Sequence, residues 1–214
     1  GLTAPFLAGY SNPQSQDSTS IRIDHNITKQ ITIFGRYSQS PQESVSLVPA
    51  SSLAQFRTGD TRTFTLGLNA AFNTNLTNEF RFNWSRNIAI SETQFRSFQG
   101  TTQPDKSLWV LSPLTANSIV TYSFSGGLLQ QNPNGRGERR QINIADTLSW
   151  VLGNHLFKFG ADYRTSPARQ DLPDYSFTAQ FNNLTAVTTG RAASVSYTIN
   201  DPRFTEYSWK NFGS

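Results

Sequence analysis

The sequence predicts an all-β fold, an antiparallel meander of long hairpins, and three observations support that prediction. Apolar side chains take every second position in long stretches, as Phe64, Leu66 and Leu68 do within 63–72. This period of two is that of a strand with one apolar face. Short turn sequences join such stretches in pairs, and long polar segments separate the pairs. Aromatic residues supply 13% of a chain that is only 36% hydrophobic, which suits single apolar residues spaced along strands.

The first hairpin is predicted over about 19–38, with a turn around Thr28, Lys29 and Gln30. Four isoleucines of its two strands share one parity, and four charged or polar residues share the other. The two sets are Ile21, Ile23, Ile31 and Ile33 against Arg22, Asp24, Arg36 and Ser38. The segment 39–60 contains prolines and several serines, so it is predicted to be a long loop.

The second hairpin is predicted over about 61–91, turning through the Asn- and Thr-rich segment 73–78. Its second strand places Phe80, Phe82 and Trp84 on one face, and Arg86 is the exception to that pattern. A longer loop is predicted over about 92–140, with a short strand near 119–124.

The third hairpin, over about 141–166, is the best defined because Gly153-Asn154 fits a two-residue type II′ turn. That turn fixes the register, which pairs Trp150 with Phe157 and sorts nearly every apolar residue to one side. Asp146 is the exception, since its parity places a carboxylate on the apolar face. A loop is predicted over about 167–193, with strands possible at 175–181 and 194–199 and the approach to another strand at 207–212.

Short connections at one end of the hairpins and long ones at the other predict a transmembrane β-barrel in the cell outer membrane. Each strand has the roughly ten residues that a tilted crossing needs. Ten residues are predicted to face lipid: Phe64, Leu66, Leu68, Phe80, Phe82, Trp84, Leu148, Trp150, Phe157 and Phe159. Seven are predicted to line the lumen: Arg22, Asp24, Arg36, Arg81, Lys158, Asp162 and Arg164. Four aromatic residues are predicted to lie in the interfacial girdles: Tyr37, Trp84, Trp150 and Tyr163.

Two alternatives satisfy the same period of two. A soluble extracellular β-sandwich would pack the apolar face on a second sheet and bind carbohydrate or protein through its loop tips, with Trp109, Tyr122 or Trp209 as stacking groups. A complete small barrel of eight strands would need a strand after Ser194 that returns to pair with the strand at Ile21.

The sequence resembles the Oar-like TonB-dependent receptors common in acidobacteria. The third hairpin carries the most specific part of this resemblance, in 144–150 (IADTLSW), 153–155 (GNH) and 158–164 (KFGADYR). It extends to 22–25 (RIDH), 34–38 (FGRYS) and 78–86 (NEFRFNWSR).

The resemblance implies an outer-membrane transporter with a barrel of about 22 strands and a plugged lumen, through which an unidentified solute is taken up. It also implies a periplasmic TonB-type energy coupler as a partner, beside outer-membrane lipid and the remainder of the barrel with its plug. No plug or coupling box is recognisable, and the chain ends in Ser214 rather than in an aromatic residue. We therefore expect residues 1–214 to be an internal piece of the barrel domain, with about six to eight strands.

The composition excludes most site chemistry. There is no cysteine, and neither histidine, His25 or His155, lies in a cluster with ligand spacing, so no metal site, cofactor or catalytic residue is predicted. The net charge of +4 is scattered over strands and loops, so nucleic acid is not expected as a partner. We expect a protein that is not an enzyme.

Overall fold

The computed structural model describes residues 9–48, 53–97, 100, 102, 118–124, 127–131, 135–200 and 206–213. Within these residues the strands are β1 Gln14–Gln16, β2 Thr19–Asn26, β3 Ile31–Val48, β4 Leu53–Asn73, β5 Leu76–Phe95, β6 Ser118–Phe124, β7 Gly127–Gln131, β8 Gly135–Leu152, β9 His155–Gln170, β10 Tyr175–Phe181, β11 Ser194–Ile199 and β12 Glu206–Gly213. One short helix, α1, covers Leu184–Thr188. The predicted all-β fold is confirmed.

The main sheet has eight strands in the order β1-β3-β4-β5-β8-β9-β12, with β2 also paired to β3. Every pairing in it is antiparallel. β1 and β2 keep one register against β3, since Gln16 faces Gln42 and Thr19 faces Gln39. They form one edge strand, interrupted opposite Pro41, which has no N–H to donate.

The second sheet is built from the segments that follow β5 and β9. Its order is β11-β10-β6-β7, and β6 and β10 are parallel. Val120, Tyr175 and Ala179 are buried in it. The strands predicted near 119–124, at 175–181 and at 194–199 are therefore confirmed.

The predicted loop 39–60 is wrong for its described residues, because β3 continues to Val48 and β4 begins at Leu53. The predicted loop 92–140 likewise contains the end of β5, all of β6 and β7 and the start of β8, and 167–193 contains the end of β9, β10 and α1. These strand ends carry polar residues on both faces, so the alternation that marks a strand is lost in the sequence. The turn predicted over 73–78 is shorter, since β5 begins at Leu76.

The third hairpin has the predicted register, with Trp150 opposite Phe157, Leu148 opposite Phe159 and Asp146 opposite Ala161. Gly153 has φ +61°, as the first central position of its turn requires.

Neither alternative fold is found in the described residues. A sandwich would cover the apolar face, yet Phe64 is 38% and Phe72 is 58% exposed. A closed barrel of eight strands would pair the strand at Ile21 with a later strand, but β2 pairs with β3 and β12 pairs with β9. Trp109 lies outside the described residues, Tyr122 packs against Phe177 in the second sheet and Trp209 lies in β12.

Candidate functional site

The register divides the main sheet into two chemically distinct faces. One cross-strand row reads Tyr37, Phe64, Trp84 and Ile142, and the next row reads Gly35, Leu66, Phe82, Ile144 and Tyr163. We call the side that these residues share the apolar face. It carries all ten residues predicted to face lipid: Phe64, Leu66, Leu68, Phe80, Phe82, Trp84, Leu148, Trp150, Phe157 and Phe159. Their contact with lipid stays a prediction.

The opposite side, the polar face, carries all seven residues predicted to line the lumen. One row contains Arg22, Arg36, Thr65, Asn83, Asn143 and Arg164. The next contains Asp24, Phe34, Gly67, Arg81, Ala145 and Asp162, and Lys158 lies nearer the short turns. The sheet thus brings Arg22 and Arg164, which lie 142 positions apart in the sequence, into one row.

The sheet curves around its polar face. A cavity of about 700 Å³ is bordered by residues of all seven strands from β1 to β12 in the sheet order, and Gln42, Arg57, Asn87 and Arg139 of the polar face line it. A second, of about 410 Å³, is lined near the short turns by polar-face residues that include Lys158. Cavities bordered by so many adjacent strands indicate a concave surface, as the interior of a barrel is.

Part of the charge on the polar face is neutralised locally. Arg22 lies 2.7 Å from Asp24, and Arg81 lies 2.6 Å from Glu79. The Asn143 amide donates to Asp162 at 2.9 Å. The two ion pairs are half exposed, so each contributes little to stability.

The remaining cations of the polar face have no carboxylate within ion-pairing distance among the described residues. They are Arg36, Arg57, Arg139, Lys158 and Arg164. Arg36 donates instead to the Ser20 hydroxyl at 3.1 Å. The concave side therefore carries an excess of positive charge that is open to an anion. Arg57 and Arg139 were not predicted as site residues, because they lie in segments expected to be loops.

Phe34 is a further feature of the polar face that the sequence prediction missed. It is only 5% exposed, although it lies among polar residues. Its ring lies over Gly67, where a Cβ atom would come within 2.1 Å of the ring. The Arg22 guanidinium lies 4.0 Å and that of Arg81 5.5 Å from the ring centroid. A glycine at a strand position marks such a close approach, so Gly67 was the available signal.

Asp146 has a partner on the apolar face. The Asn78 amide donates to its carboxylate at 2.9 Å and to the Thr147 carbonyl at 3.3 Å. The two polar side chains are therefore paired with each other within an otherwise apolar surface.

Other site chemistry finds no support in the described residues. His155 flanks its turn opposite Leu152, and the part of the chain that the structure describes holds no cluster of His, Asp and Glu side chains able to bind a metal. No helix among the described residues is long and apolar enough to cross a membrane.

A match that extends over nearly the whole sequence identifies the family. Residues 3–213 match the sequence model of the family described as outer membrane beta barrel domain. The chain belongs to this family. As an outer membrane β-barrel domain it is located in the cell outer membrane.

A solved structure supports the fold of this outer membrane β-barrel domain. The outer membrane transporter YddB from Escherichia coli matches with a TM-score of 0.55 at 10% sequence identity. The match covers 94% of this chain and 24% of that one, so the chain spans about a quarter of the length of YddB. No curated protein matches the sequence.

Proposed function

We propose that this domain forms part of the wall of a TonB-dependent transporter, which takes up a solute through a plugged barrel. The observation that carries the proposal is a polar, concave face whose cations outnumber its carboxylates among the described residues, set back to back with an apolar face in one sheet. The likeness to the fold of an outer membrane transporter supports it.

The apolar face meets outer-membrane lipid in this proposal. Within a bilayer every backbone polar group must be bonded internally, so a spanning sheet has to close. The edge strands β2 and β12 each have a single partner in the described sheet. The remainder of the barrel pairs with these edges, and its plug occupies the concave side.

The transport function requires no covalent chemistry from this domain. Its polar face contributes charge and hydrogen-bond donors, which suit solute binding or plug contact, and we assign it no catalytic role and no cofactor. The energy comes from the periplasmic TonB-type coupler through the plug. Nucleic acid is not among the proposed partners.

The test compares solute depletion from the growth medium by four strains. They carry or lack the full-length protein, and carry or lack the TonB-type coupler. Mass spectrometry of the spent medium should find one class of solute that only the strain with both proteins depletes.

Two outcomes would contradict the proposal. Depletion that needs the protein but not the coupler would indicate a passive pore. Depletion patterns that are identical with and without the protein, while it is present in the outer membrane, would exclude uptake of any solute in the medium.

A further inference from the structure

A row of three arginines crosses the apolar face just beyond the band that ends at Phe64 on β4 and at Ile142 on β8, while on β5 the apolar residues Ile88 and Ile90 continue past the row. Arg62 is paired with Arg86, and Arg86 with Arg140. The row lies two residues along the strands from Phe64 and Trp84. Like charges directly opposite one another destabilise a sheet, so this row needs an anionic counterpart.

Two carboxylates supply part of that counterpart, from the side away from the apolar band. Asp60 binds the Nε of Arg62 at 2.7 Å. Glu138 binds the Nε of Arg86 at 2.9 Å and that of Arg140 at 2.7 Å. These two arginines lower the pKa of Glu138 to about 2, so it is ionised at neutral pH.

The three guanidinium groups keep donors for a further anion. Arg136 also lies 3.6 Å from Glu138, so two carboxylates face four arginines and the cluster carries two positive charges in excess. The terminal nitrogens of Arg62 and Arg140 make no hydrogen bond to a described residue. Their side chains are 44% and 60% exposed. The carboxylates thus orient Arg62 and Arg140 through Nε and leave their outer edges open, whereas Arg86 also donates from a terminal nitrogen to Glu138 at 3.2 Å.

The height of the row matches a lipid headgroup. On β8 the apolar band runs from Ile142 to Leu152, which at about 3.4 Å per residue and a tilt near 40° corresponds to roughly 26 Å. The lipid-facing band of an outer-membrane barrel is about 25 Å tall. The row lies toward the end of the sheet opposite the short turns, where the strands extend beyond the apolar band. In outer-membrane barrels the short turns are periplasmic and the long connections at the other end are extracellular.

We propose that Arg62, Arg86 and Arg140 bind the phosphate groups of a glycolipid in the outer leaflet. The planar guanidinium matches phosphate geometry in a bidentate contact, which makes arginine well suited to this ligand. The inference rests on the proposed contact between the apolar face and lipid, and it is independent of the solute.

The test titrates the full-length protein in detergent with diphosphoryl lipid A and measures the bound fraction by native mass spectrometry. Replacement of the two most exposed arginines, Arg62→Gln with Arg140→Gln, should weaken binding about 30-fold. Two cationic contacts of about 1 kcal/mol each correspond to that change. The matched control is Arg36→Gln with Arg164→Gln on the polar face, which should bind as the unmodified protein does.

Two further arms separate the sources of phosphate and charge. Dephosphorylated lipid A should bind weakly to the unmodified protein and to the Gln pair alike. Inorganic phosphate should not displace diphosphoryl lipid A. The single variants Arg62→Gln and Arg140→Gln should each weaken binding about fivefold, and they serve as the test if the Gln pair fails to fold.

The proposal is overturned if the Gln pair, or each of the single variants Arg62→Gln and Arg140→Gln, binds no differently from the polar-face control. It is also overturned if dephosphorylated lipid A binds equally well, or if inorganic phosphate competes. Insertion into phosphatidylcholine vesicles is measured separately, since failure there would contradict the lipid contact itself rather than the phosphate site.

Discussion

The contact between Phe34 and Gly67 gives the sharpest prediction for stability. Any side chain at position 67 meets the Phe34 ring, since a Cβ would lie 2.1 Å from Cε1 and 2.5 Å from Cζ. The ring cannot shift freely because Arg22 and Arg81 lie over it. Gly67→Ala should therefore destabilise the protein by about 1–3 kcal/mol, the usual cost of overpacking.

The control is the neighbouring glycine of the same sheet. A Cβ at Gly35 would have nothing within 4 Å, and Gly35 lies on the apolar face. Gly35→Ala should change the free energy of unfolding by no more than about 1 kcal/mol, through backbone entropy. Urea unfolding of the full-length protein in lipid vesicles measures both changes.

A double-mutant cycle identifies the ring as the cause. Phe34→Ala alone should cost about 3–5 kcal/mol because a buried aromatic side chain is lost. With Phe34 removed, Gly67→Ala should become neutral or slightly stabilising, which gives a coupling of about 1–3 kcal/mol. The reasoning is refuted if Gly67→Ala is as harmless as Gly35→Ala, or if its cost persists in the Phe34→Ala background.

Three more predictions concern the faces and the charged row. Leu66→Arg should destabilise the protein in vesicles by about 2–4 kcal/mol, whereas Thr65→Arg on the polar face should cost far less; equal effects would contradict the lipid contact. Asn78→Leu should destabilise by leaving Asp146 unpaired, and adding Asp146→Leu should restore stability; additive losses would exclude this pairing. Glu138 has its pKa lowered to about 2 in the folded protein, so its contribution is complete above about pH 4.5 and is lost as the pH falls toward 2. The unfolding curves of the unmodified protein and of Glu138→Gln should therefore differ at neutral pH and converge near pH 2, and a constant difference would contradict this.

The third hairpin shows what could be predicted from the sequence. Gly153-Asn154 sets a two-residue turn, and from that turn every pair out to Asn143 and Arg164 follows by counting. The alternation on both strands agrees with this count, so the local and the long-range signals point the same way. The faces of Lys158 and Asp162 followed from the same register.

The strand ends and the contact at Phe34 could not be predicted in this way. Residues 39–48 and 53–60 lie beyond the apolar band and carry mostly polar side chains on both faces, so no continuous apolar alternation marks these strand ends, although Leu53 and Ala54 are buried. Phe34 breaks the parity of its strand, and only the register shows that it meets Gly67. The parallel pairing of β6 with β10 joins segments more than 50 residues apart, and nothing local in either segment specifies it.

The surroundings of each face explain where its charged residues lie and whether they need a partner of opposite charge. On the apolar face, Arg62 and Arg86 occur only past the aromatic row, where each is held by a carboxylate. On the polar face, Arg36 and Arg164 occur at the height of the apolar band without a carboxylate partner among the described residues. A cation facing hydrocarbon at this height would cost several kcal/mol. Unpaired arginines are therefore compatible with membrane depth only if the concave side is wet or is filled by polar groups, as in a lumen that admits a solute or a plug.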